Sequence, residues 1–305
     1  VIARLRPVLA VPFGIFLAGW LVVAHHAVRV HTLQPDEVIP IAGSRHVLAD
    51  PLSAFGAGSQ LSGRGLERGV AVSFAFLQWL LGNTAQALWA EHVLIAGVFA
   101  ATALVIWSWA RELDLEPWQA GIAAALSLCV PWLIYGTSYL NSAGAYCLTP
   151  LALYAIWRAI VAPGIWRDVV ALAALLLLGC VRVGNVVIAV AFPAGIVLHA
   201  IYARPPGVGM GRALRELPRR VWRDHPLLVV LGALGVLALV AGGTRWLIGG
   251  YPTRAAVFSN FRMVLRAELA ALAVGTAIVP VVVALAWFAR SLVRPSSARL
   301  GAFAA

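Results

Sequence analysis

The chain alternates long apolar runs with short polar breaks from end to end. Eight runs stand out: Pro7–Val28, Ala85–Ala110, Trp118–Tyr135, Ala143–Ile160, Val169–Val181, Val186–Tyr202, Pro226–Gly243 and Glu268–Phe288. Most approach the roughly 20 residues that carry a helix across a bilayer. None shows the ten-residue alternation of an outer-membrane barrel strand. The pattern predicts an all-α, polytopic transmembrane bundle of about eight spans.

The breaks carry the rest of the organisation. Residues 29–83 form a long, polar, Gly-rich outer loop. Within it, Val38–Ala49 predicts a short helix on the membrane surface. Val70–Leu81 predicts an apolar half-helix, too short to span, that stops at Gly82-Asn83. Arg111-Glu-Leu-Asp-Leu-Glu-Pro117 reads as a tight turn with helix-stop chemistry. Residues 203–225 read as a basic inner loop holding Arg204, Arg212, Arg215, Arg219, Arg220 and Arg223. The whole of 1–305 reads as one transmembrane module, and its opening on Val1 rather than Met suggests a piece of a longer chain.

Charge orients the bundle. Only 11% of residues are charged, against about 25% in a soluble domain. With Arg4 and Arg6 inside, both termini fall in the cytoplasm, and 14 of the 23 basic residues land on the inner side, as the positive-inside rule expects. Every basic residue is Arg, the mark of a GC-rich genome. The net charge of +11 does not point to nucleic acid, because the arginines are dispersed between apolar runs and form no basic face interleaved with stacking aromatics. Cys129, Cys147 and Cys180 all lie in apolar runs without zinc spacing and read as small buried hydrophobes.

Candidate chemistry gathers on the outer side. Asp36 and Glu37 follow the first run directly, with Pro35 fixing the approach of the chain. Adjacent residues diverge on a helix or strand, so one carboxylate at most addresses a given substrate atom. The plainer reading of the pair is a solvated loop. Nine arginines fall outside on this count; Arg182, Arg64, Arg68 and the Arg254, Arg262 and Arg266 group can clamp a phosphate bidentately or simply reach lipid headgroups. Gly63-Arg-Gly-Leu-Glu67-Arg68 is either an ion pair capping the half-helix or part of a site rim. His25, His26 and His31 fit interfacial packing better than a metal site. Tyr135, Tyr139 and Tyr146 fit an aromatic belt, with sugar contact as the alternative.

A first span followed by Leu33-Gln-Pro-Asp36-Glu37-Val38 resembles the polyprenyl-phosphate-sugar-dependent glycosyltransferases of the GT-C fold. These include protein mannosyltransferases, aminoarabinose transferases and actinobacterial arabinosyltransferases. The later layout is similar through about Tyr202: a half-helix ending at Gly82, a span closing at Trp107–Asp114, and a hairpin with Arg182 near its apex. The resemblance implies transfer of a sugar from a polyprenyl-phosphate donor to an acceptor hydroxyl on the outer membrane face, with inversion. The acceptor would be an envelope glycan, lipid or protein. It implies Asp36, and after it Glu37, as the base, with Arg182, Arg64, Arg68, Arg262 and Arg266 holding the donor phosphate. Many family members carry a second acid where this chain has Tyr139-Leu-Asn141-Ser142. Either Asn141 substitutes as a hydrogen-bonding group, or Asp50, Glu67 or Glu91 supplies the charge, and the need for a divalent cation stays open. Two other readings are kept: a polytopic transporter or lipid flippase, and a non-catalytic homologue that binds the lipid carrier.

Overall fold

The computed structural model describes residues 2–29, 35–52, 69–129, 140–181, 188–202, 209–238 and 240–241. Among the described residues the fold is all-α, with no strand. The helices are α1 (Ile2–Arg29), α2 (Pro35–Ala49), α3 (Gly69–Leu81), α4 (Thr84–Ala100), α5 (Thr102–Glu112), α6 (Pro117–Leu128), α7 (Leu140–Val161), α8 (Ile165–Val181), α9 (Ala191–Tyr202), α10 (Met210–Asp224) and α11 (Pro226–Ala238). The run Glu268–Phe288 lies outside the described residues.

Local chemistry sets the boundaries. Gly82 ends α3 at φ 67, a left-handed turn that a residue without Cβ adopts freely. Asn83 then caps α4 by accepting the N–H groups of Ala85 at 2.8 Å and Gln86 at 3.4 Å. The expected stop after Glu112 is also present. Asp114 takes φ 61, and the Leu115 N–H reaches back to the Ala110 carbonyl at 3.1 Å. Gln119 accepts the Glu116 N–H at 2.9 Å, and Pro117 opens α6, where its missing N–H costs nothing.

Helices α4 and α5 follow one another with a single turn residue, Ala101, between them. Together they make a continuous 29-residue stretch, Thr84–Glu112, long and apolar enough to cross a membrane. Gly144–Val161 of α7 is the second such stretch among the described residues. At their shared end Tyr154 of α7 donates to Glu112 at 2.6 Å, and Arg158 lies 3.6 Å from the same carboxylate.

Two apolar cores form. One joins α1, α4, α5 and α6 around Val23, Phe99 and Trp107, with Val70 of α3 at its edge. The other joins α7, α8 and α9 around Ile156, Leu178 and Phe192. Alanine dominates both buried seams, while large side chains such as Leu21, Trp79, Trp166, Leu176 and Leu237 point outward. A soluble core reverses that arrangement; small residues at the seam and large ones outside suit helices packed in lipid.

Within the basic connection 203–225, Met210–Asp224 forms a helix that the sequence reading did not anticipate. Its apolar residues Met210, Leu214, Leu217 and Val221 recur at helical spacing, a period hidden by the density of arginine. The cysteine expectation holds only in part: Cys147 is buried and Cys180 half-buried, but Cys129 is exposed where α6 ends.

Candidate functional site

Helices α2, α3 and the first half of α4 form a layer of their own. The Gly82–Asn83 turn folds α3 back along α4, and Gln78 donates to Thr84 Oγ1 at 2.8 Å just inside the turn. Farther from the turn, Ser73 of α3 faces Glu91 of α4 and donates its hydroxyl to Oε1 at 2.5 Å. Helix α2 packs on the other side of α3: Ser44 reaches Gln78 at 3.4 Å, and Val47 packs with Ala75. Rising numbers in α2 thus pair with falling numbers in α3, so the two helices run antiparallel.

Glu91 is the strongest chemical anomaly in this layer. It is fully buried within an apolar helix, and its Oε2 has no hydrogen-bond partner. A buried carboxylate oxygen without a partner is costly, and ionisable side chains inside membrane-crossing helices generally serve a function. From Glu112, Glu91 is 21 residues along the stretch, or about 31 Å at helical rise. That is close to the ~30 Å depth of a hydrocarbon core.

Other parts of the chain meet at the same level. Gly69, at the foot of α3, lies so close to the end of α8 that a Cβ there would stand 3.0 Å from the Cys180 carbonyl oxygen. Gly144, near the start of α7, would bring a Cβ within 3.2 Å of Val181 and 3.9 Å of Ile95, one turn past Glu91. The foot of α3, the end of α8, the start of α7 and the middle of α4 therefore converge. Each is also next to a residue singled out from the sequence. Gly69 follows Arg68, Val181 precedes Arg182, and Gly144 comes three residues after Asn141.

The individual expectations resolve unevenly. Asp36 and Glu37 occupy the first turn of α2, where carboxylates suit the helix dipole; their side chains lie outside the described set. Continuing the α2–α3 register puts that turn beside Gly82–Asn83, at the far end of α2 from Ser73 and Glu91. Asp50 sits at the opposite end of α2, about 20 Å along the axis from Asp36. It is exposed and accepts the Leu52 N–H at 3.1 Å, a local turn contact. Asn141 falls in the first turn of α7, its side chain again outside the described set. Arg64, Glu67, Arg68, Arg182, Arg254, Arg262 and Arg266 lie outside the described residues. Tyr146 is tied into the first core rather than presented to a ligand: its hydroxyl donates to the Ser127 carbonyl at 2.8 Å, and its ring stacks on Phe99. Among the described residues no three His, Cys, Asp or Glu side chains group as metal ligands would.

Sequence reasoning missed a second buried polar cluster, at the opposite end of the bundle. His225, which ends α10, donates from Nδ1 to Asp168 of α8 at 2.9 Å, both side chains being buried. Phe192 meets the His225 ring edge-on. A shallow pocket above the pair is lined by Ile160, Pro163, Ile196, His199, Arg220 and Asp224. The Arg223 guanidinium beside Asp224 holds that carboxyl below the usual aspartate range, with Arg220 adding to the effect. Asp168 in the first turn of α8 was visible in the sequence; its partner 57 residues later was not.

No protein-family model matches the chain, and no curated protein or solved structure matches it either.

Proposed function

We propose that this chain is the multi-pass membrane part of a glycosyltransferase, with its site where the foot of α3, the end of α8 and Glu91 of α4 come together. It would move a sugar from a polyprenyl-phosphate donor to an acceptor hydroxyl at the outer membrane face. The observation that carries the reading is the close approach of Gly69 to Cys180, beside a buried carboxylate with one free oxygen. In sequence Arg68 adjoins the first of these residues and Arg182 lies two beyond the second, and a guanidinium fork binds phosphate bidentately. The resemblance to the GT-C enzymes supplies the donor class. About eight spans, with both ends of the chain cytoplasmic, would put this end of the bundle outside.

Two carboxylates compete for the base. Asp36 is favoured by the resemblance but lies toward the Gly82–Asn83 end of α3, away from the convergence, whereas Glu91 is favoured by its burial and its place there. A carboxylate base contributes about 100-fold or more to such a reaction. Membranes holding the protein, given radiolabelled polyprenyl-phosphate sugars, should therefore lose transfer by that factor in either Asp36→Asn or Glu91→Gln. Arg182→Gln should raise the donor KM. Wild-type rates in both carboxylate variants would defeat the reading.

One observation favours a second reading. The buried Asp168–His225 pair is the kind of ionisable couple that proton-coupled transporters hold inside a bundle. Solute uptake into proteoliposomes, lost in Asp168→Asn and unaccompanied by any glycosyl transfer, would favour the transporter. Donor binding by the wild type with neither transfer nor uptake would leave the carrier-binding homologue.

A further inference from the structure

Helix α10 differs from every other helix described. It is dense in arginine, buries no residue, and its surface divides into three strips. Leu217 and Val221 pack against the second core. Leu214 and Trp222, on the adjoining strip, are exposed at 40% and 59%. Arg212, Arg215 and Arg219 line the third strip, all exposed and without an ion-pair partner among the described residues. A helix loosely docked on protein, with an outward apolar strip beside a basic one, has the form of a helix lying in a membrane surface.

Its position fits. The last turns of α10 meet Ile160 and Pro163, at the end of the candidate span Gly144–Val161. Ile165 and Trp166, the first residues of α8, are also exposed there, at 57% and 78%. Exposed apolar residues of α10 and α8 thus both occur at this end of the bundle, and on α10 the five arginines outnumber Glu216, which shares their face, and Asp224.

We propose that α10 lies in the plane of the bilayer and seats on a leaflet rich in anionic lipid, with Leu214 and Trp222 among the upper acyl chains and Arg212, Arg215 and Arg219 among the phosphate headgroups. Each arginine near such a surface shifts the docking equilibrium by about fivefold. The proposal rests on the membrane reading of the bundle and not on any transfer activity.

Bilayers of phosphatidylcholine with brominated acyl chains, with and without phosphatidylglycerol, test it on the full chain. The tryptophan emission lost in Trp222→Phe isolates the signal of that residue. It should be quenched by the brominated chains, and more strongly when phosphatidylglycerol is present. In Arg212→Gln/Arg215→Gln/Arg219→Gln the dependence on phosphatidylglycerol should disappear. The emission that remains in Trp222→Phe serves as the control, because its quenching reports insertion of the bundle itself. If that control is quenched while the Trp222 signal answers only to aqueous iodide, α10 faces water or a protein partner and the proposal is overturned. An unchanged lipid dependence in the triple variant overturns the electrostatic half. A control that is not quenched removes the membrane reading beneath both.

Discussion

Asp168 and His225 are 57 residues apart in sequence and 2.9 Å apart in space. The pair holds the start of α8 against the junction of α10 and α11. Removing one member of a buried hydrogen-bonded pair costs about 1–3 kcal/mol, because the other is left without a partner. Asp168→Ala should therefore lower the thermal midpoint clearly in detergent-solubilised protein. The double change Asp168→Leu/His225→Phe should recover most of the loss, since an apolar replacement leaves no orphan group. A double variant as unstable as the single one would show that the pair matters through shape alone. Glu91 shares one feature with Asp168, whose Oδ2 is also buried without a partner. Its Oε1 is satisfied by Ser73 and its Oε2 is not, so part of its cost is left unrelieved. In the sequence it was one acid in an apolar run, named only as a stand-in for the acid missing near Asn141. What makes it central is the docking of α3, a contact that no local pattern announces.

At the scale of elements, the legible features were those with local causes. The half-helix 70–81 and its stop could be read because Gly82 and Asn83 are turn and cap residues acting on their immediate neighbours. The turn after Glu112 could be read for the same reason. The 26-residue run beginning at Ala85 gave the long α4–α5 stretch through length and apolarity alone. Helix α10 was missed because its arginines were weighed as loop charge while the apolar period beneath them was not. The α3–α4 turn offers a direct check. An Ala at position 82 must adopt a left-handed backbone, which costs about 1–2 kcal/mol. Gly82→Ala should speed hydrogen exchange of the amides around Asn83, and Gly82→Asn should do so less. Equal protection in both variants would mean that the turn opens without strain.

For the whole molecule, the two candidate spans and the outward-facing large side chains make a membrane the natural surroundings, and the direction of the Thr84–Glu112 stretch becomes measurable. Cysteines placed at Asn83 and Asp114, at its two ends, should react with an impermeant maleimide from opposite sides of sealed vesicles, each compared with the parent protein. Labelling from the same side would exclude that stretch as a span. The all-α character of the described residues and the two stretches long enough to span were legible at this scale because run length is a property of continuous sequence. The convergence of α3, α4, α7 and α8 was not, because it depends on how two cores meet.

Those cores are also consecutive along the chain. The first is built almost wholly from residues before Cys129, the second from residues after Leu140. With synthesis at about 5–20 residues per second, the first core has several seconds to settle before the second is complete. Gly69 and Glu91 belong to the early part, Gly144 and Cys180 to the late one. The proposed reaction centre therefore lies on a seam between an early and a late core, and it cannot be complete until residues of both have been made.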